Sequence, residues 1–416
     1  MSAFRARRTD AAAPGGSGRL GPDFVRLWWS SAATNLGDGA LLAAGPLLVA
    51  SLTGSATVVA GASAVQLLPA LLFSLTSGAL VDRFPRRTVL LAANLVRASV
   101  LALFAVALVF GAPPLWLLFV VLFAVGTSET LADSAYGALL VSVVPRSLLG
   151  RANARLALTF SVNNQLAGPP LGALLFGSGW ALPYGLKSLL CLAAVVLVAR
   201  IAAVPADEGV RSRAPRTTLR TEVREGLDHV RRGPLLRTLC VCVLVMNLTG
   251  VGAFALWVLY AQERLGLGEF GFGLFLAAGA VGGVVGSRVF EWLEPRVGLA
   301  ALLRWGLVVE ALTYAALAST TNAVVAGAVM AVFGVHTMVW GTAAVTSRQR
   351  ATPDALLGRV SGVYRLADLG GAALGALVGG VVAEQVGLLV PFWSAAVGVS
   401  VLALVAWRPL GAADRT

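Results

Sequence analysis

Three acidic side chains stand deep inside long apolar segments of the sequence: Asp38, Glu129 and Asp133. A charge at the centre of a membrane-spanning helix costs at least about 2.5 to 3.5 kcal/mol, so such residues usually face a cavity or a charged partner. Glu129 and Asp133 are four residues apart and therefore share one helical face. Two ionised carboxylates at this spacing repel each other, so one of them binds a proton more readily. This is what a proton-coupled step requires.

Each of these carboxylates also has a structural interpretation. Asp133 can pair with Arg83 or Arg86, and Asp38 can form a fixed pair with an arginine or cap a helix. Glu129 lies nearest the middle of its apolar segment, so we expect it to be the principal proton-coupling residue. Asp133 and Asp38 would then tune its proton affinity.

Other charges inside apolar segments have simpler explanations. Lys187 lies close enough to the outer end of its segment for its long side chain to reach the membrane interface. Glu310 is expected to pair with Arg304 or another neighbour, and Arg365 is expected to pair with Asp368 three residues later.

The composition identifies these apolar segments as membrane spans. Of 416 residues, 57% are hydrophobic and 12% are charged, with a mean hydropathy of +0.82, whereas soluble proteins carry roughly 25% charged residues. A helix of about 20 apolar residues crosses a bilayer and satisfies its own backbone hydrogen bonds. A membrane barrel would instead show alternating segments of about 10 residues. We predict an all-α protein with twelve spans, at 24–50, 55–80, 88–110, 114–143, 156–176, 180–203, 236–261, 268–290, 299–318, 322–346, 360–383 and 388–407.

The basic residues indicate how these spans are oriented. The net charge is +12, and arginines fill the first tail and every loop that follows an even-numbered span. The alternate loops hold one arginine, Arg264. Since short basic loops stay in the cytoplasm, both termini are predicted to be cytoplasmic. The positive charge also suits anionic lipid, and no basic domain indicates nucleic-acid binding.

An internal repeat divides the chain into two halves. The sequence Pro-x-x-Leu-Leu-Gly-Arg occurs at 145–151 and again at 353–359, at equivalent places in two six-span units. A parallel duplication of this kind is typical of transporters whose halves rock about a central site. The predicted organisation is a disordered tail at 1–23, six-helix bundles at 24–203 and 236–408, a linker at 204–235 and a tail at 409–416. In the linker, apolar residues at helical spacing predict an amphipathic helix on the inner leaflet, formed by Leu219, Val223, Leu227 and Val230.

Several motifs resemble those of a known superfamily. The stretch Gly78-Ala-Leu-Val-Asp-Arg-Phe-Pro-Arg-Arg87 is similar to the signature loop of the major facilitator superfamily, with Pro85 in place of a glycine. The segments at 35–39, 149–153 and 168–172 resemble the exporter branch that includes macrolide efflux pumps and enterobactin exporters.

The resemblance implies which spans line a central cavity, namely the first, fourth, seventh and tenth. Asp38, Glu129 and Asp133 would then lie together at the pore. The same spans carry polar and aromatic side chains that suit an amphipathic substrate, and these are Asn35, Asn247, Trp257, Tyr260, His336 and Trp340. The alternative for the aromatic residues is a role in packing or at the membrane interface.

The signature loop is predicted to be a conformational latch formed by Gly78, Asp82, Arg83, Arg86 and Arg87. Its carboxylate can face a helix N-terminus, where negative charge is favoured. The alternative is that the three arginines only fix the topology.

Small residues four apart form ridges along three predicted spans. Such ridges let helix backbones approach closely, and the resemblance places these spans at the interface between halves. Generic helix packing is the alternative. The ridges consist of Gly168, Pro169 and Gly172, of Gly279, Gly282, Gly283 and Gly286, and of Gly371, Gly375 and Gly379.

Together these features predict a twelve-helix, two-bundle transporter of the cell membrane. We expect it to export a small amphipathic organic molecule in exchange for protons, by alternating access. Alternatives are a siderophore or lipid-like exporter, an importer, or more remotely a membrane sensor or enzyme. The sequence has no phosphate-binding Gly-x-x-x-x-Gly-Lys-Ser/Thr loop, and its two histidines and three cysteines are dispersed, so we expect no cofactor, metal or catalytic site. We expect a monomer.

Overall fold

The computed structural model describes residues 20–202 and 219–415 of the chain. Helices account for nearly all of this part, and no β-strand occurs within it. The prediction of an all-α membrane protein is therefore confirmed. Most of the predicted first tail, and residues 203–218 of the predicted linker, lie outside the described residues.

Seven helices form the first half of the chain, which we call the N-half. Their starts follow local sequence signals: Pro22 occupies the first turn of α1, and the Ser55 hydroxyl accepts a hydrogen bond from the Val58 amide at the start of α2. A π-helical segment, Phe160–Ala167, joins α5 to α6. The helices are α1 (Pro22–Leu52), α2 (Ala56–Arg83), α3 (Arg86–Val109), α4 (Leu115–Val143), α5 (Leu149–Thr159), α6 (Gly168–Ser178) and α7 (Ala181–Ala199).

Helix α8 (Leu219–Arg232) follows in the predicted linker, and the remaining helices form the C-half. A second π-helical segment, Tyr260–Arg264, follows the short helix α10. The C-half helices are α9 (Pro234–Phe254), α10 (Trp257–Leu259), α11 (Glu269–Ser319), α12 (Ala323–Arg350), α13 (Leu357–Val386) and α14 (Val390–Leu410).

Ten helices in the described part of the chain are long and apolar enough to cross a membrane. The difference from twelve arises at two places. Helix α11 has 51 residues and contains two predicted spans, divided at Gly298, whose φ of 79° only glycine adopts readily. The predicted span at 156–176 is distributed over α5, the π-helical segment and α6. The count of twelve stays a prediction.

Contacts within each half are more extensive than contacts between the halves. In the N-half, α1 packs against α6 and α7, and α4 packs against α2 and α3. In the C-half, α13 packs against α9, and α11 packs against α12 and α14. The main contacts between halves are those of α2 with α13 and of α6 with α11.

The two ends of the bundle differ in how the halves meet. We call the end at which α1 begins and α14 ends the terminal face, and the other end the opposite face. Near the opposite face, one cluster of buried hydrophobic residues includes members of both halves, such as Leu47 and Phe272. Near the terminal face, the halves have separate clusters, around Leu139 and Leu303. The halves are thus joined at the opposite face.

The predicted glycine ridges pack inside the halves, which corrects their expected place at the interface. A Cβ on Gly172 would lie 1.9 Å from the Ala40 carbonyl oxygen of α1, within the N-half. Gly282 meets Ala331 of α12, and the α13 ridge meets α9, both within the C-half. The reason is that small residues are needed where backbones approach most closely, and the closest approaches lie within each bundle.

Two other glycines mark the close contacts between halves. A Cβ on Gly273 of α11 would lie 2.8 Å from the Pro169 carbonyl oxygen of α6. A Cβ on Gly380 of α13 would lie 2.6 Å from the Ala60 Cβ of α2. Both contacts lie toward the opposite face, where the halves share a core.

Helix α8 packs on the C-half, so part of its apolar face contacts protein where the sequence predicted membrane lipid. Val230 is buried in a cluster with Leu236 and Val360. A Cβ on Gly226 would lie 2.7 Å from the Arg359 carbonyl oxygen, and the Arg359 guanidinium also pairs with Glu225.

Candidate functional site

A cavity of about 680 Å³ lies between the two halves. Its walls come from α1, α2 and α4 of the N-half and from α9, α10, α11 and α13 of the C-half. Pro46 of α1 is among the lining residues, and a proline within a helix removes one backbone hydrogen bond and favours a bend. The residues that line the cavity are Leu41, Leu42, Pro46, Ser63, Gln66, Leu67, Ala70, Gly126, Glu129, Thr130, Asp133, Ser134, Asn247, Val251, Phe254, Ala255, Trp257, Val258, Phe272, Leu276, Arg365, Asp368, Leu369 and Ala372.

The N-half wall is polar, and its acidic groups come from α4. The hydroxyls of Thr130 and Ser134 donate to backbone carbonyls one turn earlier in α4, so their own donors are satisfied. Glu129 and Asp133 both line the cavity, as predicted from their spacing. Neither carboxylate forms a hydrogen bond or ion pair with another of the described residues. They are therefore available to a proton or a bound molecule.

The C-half wall is largely aromatic and aliphatic. Helix α9 ends at Phe254, and helix α10 begins at Trp257. The side chains of these two residues line the cavity. The Trp257 ring packs edge to face against Phe275, with ring centroids 5.7 Å apart, and contacts Phe254 at 4.5 Å. These contacts hold the aromatic rings of the C-half wall in place, across the cavity from the carboxylates.

Charged and amide groups of the C-half complete the site. The Asn247 amide donates to the Asp368 carboxylate at 2.8 Å and to the Val243 carbonyl at 2.9 Å. No ion pair joins Arg365 to Asp368 in the described chain, so the predicted local pair is corrected. Arg365 is exposed to the cavity and lies within electrostatic range of Asp133 on the other half.

Asp38 lies away from the cavity, in the interior of the N-half. One of its carboxylate oxygens accepts a hydrogen bond from the Arg97 guanidinium at 2.7 Å and also contacts the Lys187 ammonium. The side chains of Arg97 and Lys187 are only 3% and 2% exposed. The three residues bring together α1, α3 and α7, and the geometry matches the structural interpretation of Asp38 as a fixed ion pair.

The burial of Lys187 overturns its predicted position at the membrane interface. Its aliphatic stem lies over Gly37, where a Cβ would be 3.2 Å from three of its carbons. The ammonium group reaches inward to Asp38 because this carboxylate offers an electrostatic partner to a cation that is almost entirely buried. Arg97 also acts electrostatically on Asp133, so it connects this cluster to the cavity wall.

Four other predicted site residues do not line the cavity. The Asn35 amide donates to Ser31 of its own helix at 2.8 Å, and the Tyr260 hydroxyl donates to the Leu317 carbonyl at 2.7 Å. His336 and Trp340 of α12 face α11, where a His336 ring nitrogen lies 3.3 Å from the Glu310 carboxylate. Thus Glu310 has His336 as its neighbour, and no described residue of α12 lines the cavity.

The architecture and the cavity agree with a comparison of the chain with known families. The profile of a family described as "transmembrane secretion effector", one of the major facilitator families, matches residues 21–412. The chain belongs to this family. It is therefore a major facilitator transporter and not an enzyme, as predicted. The narrower resemblance to macrolide and enterobactin exporters stays a prediction.

Two curated relatives match part of the sequence of the transporter. The chain is 40% identical over 128 residues to an uncharacterised MFS-type transporter of Mycobacterium bovis and to one of Mycobacterium tuberculosis, and this stretch is 30% of the chain. The match spans only 29% of the length of these curated relatives.

Solved structures match over nearly the whole transporter. A bacterial homologue of the iron transporter ferroportin in its inward-facing state has a TM-score of 0.70 at 18% identity, covering 92% of this chain and 98% of that one. The nucleoside transporter NupG gives 0.72 at 12% identity, with coverage of 93% and 98%. A bacterial homologue of the lysosomal transporter Spinster, inward-facing and unoccupied, gives 0.70 at 14% identity, with coverage of 94% and 96%.

The signature loop of the transporter contacts its own half. The Arg86 guanidinium donates to the Ala138 carbonyl at 3.1 Å, and the Arg87 guanidinium donates to the Val198 carbonyl at 3.2 Å and to Ala199. Both arginines thereby reach the C-terminal ends of helices, where positive charge is favoured. Gly78, Asp82 and Arg83 lie in α2, and their side chains are outside the described part, so the latch stays a prediction.

Sequence reasoning missed several residues of the site. Gln66, Phe254 and Phe272 line the cavity, but neutral polar and apolar residues inside a span carry no signal of their own. The burial of Lys187 could have been predicted, because a mid-helix cation requires an anion and Asp38 is one of the mid-span anions of the same half.

Proposed function

We propose that this transporter exports a small amphipathic organic molecule that carries a positive charge, in exchange for protons, by alternating access. The observation that carries the proposal is the pair of carboxylates of Glu129 and Asp133, which have no hydrogen-bond or ion-pair partner among the described residues and face an aromatic wall across a cavity between two halves. The family name, which refers to secretion, supports the direction of transport.

The charge of the cavity favours a cation. Three carboxylates line it, those of Glu129, Asp133 and Asp368, against one guanidinium, that of Arg365. An amine of the substrate would lie against the α4 carboxylates, and its apolar body would lie against Phe254, Trp257 and Phe272. Aromatic faces also attract cations directly.

Proton exchange follows when substrate and proton compete for the same carboxylates. Glu129 is the principal coupling residue in this proposal, since it lies at the middle of α4 and has no fixed partner among the described residues. Its ionised form feels the membrane potential, at about 2.3 kcal/mol per charge per 100 mV, whereas its protonated form does not. Asp133 tunes Glu129 from the same helical face. Asp38 acts on Asp133 only at a distance, through Arg97.

The conformation suits loading from the terminal face. The halves share a core at the opposite face and have separate cores at the terminal face. If the arginine-rich terminal face is cytoplasmic, this is an inward-facing state. The ferroportin homologue fits better in its inward-facing form, with a TM-score of 0.70, than in its outward-facing form, with 0.60.

The test is transport by the purified protein in proteoliposomes with an imposed pH gradient. The probe is ethidium, an aromatic cation, and uncharged Nile red serves as the matched control. We expect proton-driven accumulation of ethidium and release of protons when ethidium is added, with no such effect of Nile red. Glu129→Gln should abolish accumulation while retaining ethidium binding.

The matched control variant is Glu291→Gln, on the surface of α11, where the side chain is 70% exposed. It should transport at the wild-type rate. Equal transport by Glu129→Gln and wild type would refute the coupling role of Glu129. Accumulation of Nile red in preference to ethidium would refute the charge of the proposed substrate.

A further inference from the structure

One carboxylate forms hydrogen bonds between the two halves at the opposite face. Glu384, near the end of α13, accepts hydrogen bonds from the Ser55 hydroxyl at 2.6 Å and from the Thr57 backbone amide at 2.8 Å. Ser55 and Thr57 belong to the N-half, at the start of α2, whereas Glu384 belongs to the C-half. The contact therefore exists only while these two helix ends are together.

The contact has the chemistry of a helix cap. The first turn of a helix has backbone amides without partners in the helix, and its partial positive charge favours a carboxylate. Ser55 already occupies the capping position and accepts from the Val58 amide at 3.3 Å. Glu384 satisfies a further amide, and hydrogen bonds to an ionised acceptor are stronger than neutral ones. The second cap of α2 is thus supplied by the other half.

The backbone near Glu384 is shaped for this approach. Gly380 lies one turn earlier in α13, and a Cβ there would lie 3.1 Å from the Ala56 carbonyl oxygen and 3.1 Å from the Thr57 Cα. No larger residue would fit without a shift of the helices. Gly380 and Glu384 thus contact the same turn of α2, one by close packing and the other by hydrogen bonds.

The segments that accompany Glu384 toward the opposite face, residues 43–72, 247–258 and 385–407, contain no titratable side chain. The carboxylate of Glu384 is exposed to solvent. The hydrogen bonds of this carboxylate go to the start of α2, at Ser55 and Thr57.

We propose that Glu384 is a positioning residue for the transport cycle, whose ionised carboxylate holds the opposite face closed by capping α2 from the other half. This inference rests on the alternating access of the proposed function. When the opposite face opens, Glu384 leaves Ser55 and Thr57, and water takes its place. Glu384 therefore sets the balance between the two conformations without touching the cavity.

The experiment measures the separation of the halves at the opposite face. Spin labels are attached at Ala112→Cys and Thr321→Cys, two exposed loop positions on different halves, after replacement of the three native cysteines by alanine. Electron paramagnetic resonance gives the distance distribution in nanodiscs, without substrate and without a gradient. We compare the spin-labelled protein that carries no further change with its Glu384→Gln variant. The matched control is Glu263→Gln, which changes another exposed acidic residue on the same face.

We expect Glu384→Gln to move population from the short to the long distance, and Ser55→Ala to cause a smaller shift in the same direction. Glu263→Gln should leave the distribution unchanged, and the melting temperature should be unchanged in all three. An unaltered distribution in Glu384→Gln would overturn the proposal. A Glu384→Gln protein that fails to fold would also overturn it, since an exposed contact that only selects a conformation is not needed to fold either half.

The result is independent of the substrate. A distance shift in a protein that does not move ethidium would refute the proposed substrate and retain the role of Glu384. Transport of ethidium with no distance shift in Glu384→Gln would retain the proposed function and refute the role of Glu384.

Discussion

Two groups of acidic residues lie well inside apolar helices of the N-half but in opposite surroundings. Asp38 is held by Arg97 and Lys187 in the interior of the half, whereas Glu129 and Asp133 face the cavity without a fixed partner. A buried carboxylate with two cations has a single stable charge state, because its protonation would leave both cations unpaired. A carboxylate on a cavity wall can change its charge within the cycle. The difference teaches that partners, more than depth, separate a structural charge from a coupling charge.

The largest expected effect is on stability, from Asp38→Asn. This change leaves Arg97 and Lys187 buried near each other without an anion, and breaking a buried pair by removing one partner costs about 3–5 kcal/mol. We expect a large fall in the melting temperature of the detergent-solubilised protein and a low yield. Asp38→Asn with Lys187→Met should recover part of the loss. Full stability of Asp38→Asn would mean that the cluster is not structural.

The second effect is on coupling, from Glu129→Gln, and it should leave stability almost unchanged. The Glu129 side chain is partly buried and has no partner to lose among the described residues. We therefore expect a melting temperature close to wild type, together with loss of the proton movement that ethidium induces. Glu129→Gln should thus impair transport with little change in stability, whereas Asp38→Asn should lower the stability against unfolding. A fall in stability equal to that of Asp38→Asn would place Glu129 with the structural charges.

A smaller effect on transport is expected from Asp133→Asn. Asp133 is exposed to the cavity and interacts with Arg365 across the halves. An interaction between exposed charges contributes up to about 1 kcal/mol, which corresponds to a roughly fivefold change in rate. We expect Asp133→Asn to slow ethidium transport by about this factor and to keep proton coupling. The measurement is the initial rate in proteoliposomes, with Arg365→Gln and the double variant completing the cycle. Strictly additive effects would show that the two residues do not interact.

The sequence was sufficient for the fold and for part of the site. Apolar runs and an internal repeat predicted helical spans in two halves, because lipid imposes length and backbone hydrogen bonding on every span. The spacing of Glu129 and Asp133 predicted a shared face, and both line the cavity. Tertiary contacts decided the rest. Spans 1 and 10 were both expected to line the pore. Instead, Asp38 contacts Arg97 of α3 and Lys187 of α7, and His336 lies beside Glu310 of α11.

The glycine ridges show the same limit. Gly172 and Gly375 were predicted to lie where two helix backbones approach closely, and each does lie against a neighbouring backbone. The spacing of the glycines indicates that their helix packs closely against another helix, but it does not indicate which helix that is. Gly273 and Gly380, which do lie between the halves, have no more distinctive sequence context than the others.

The smallest effect is expected from Lys187→Met, and it sharpens the comparison most. The cluster around Asp38 holds two cations and one anion, so loss of Lys187 leaves a balanced pair of Arg97 and Asp38 at 2.7 Å. Methionine keeps an apolar stem over Gly37, where that of Lys187 packs. Replacing a buried charge by an apolar group of similar size is often neutral or stabilising, so we expect a change in unfolding free energy within about 1 kcal/mol. Thermal unfolding of Lys187→Met beside Asp38→Asn measures this. If both variants are destabilised equally, Lys187 is the essential partner of Asp38 and Arg97 is the accessory one.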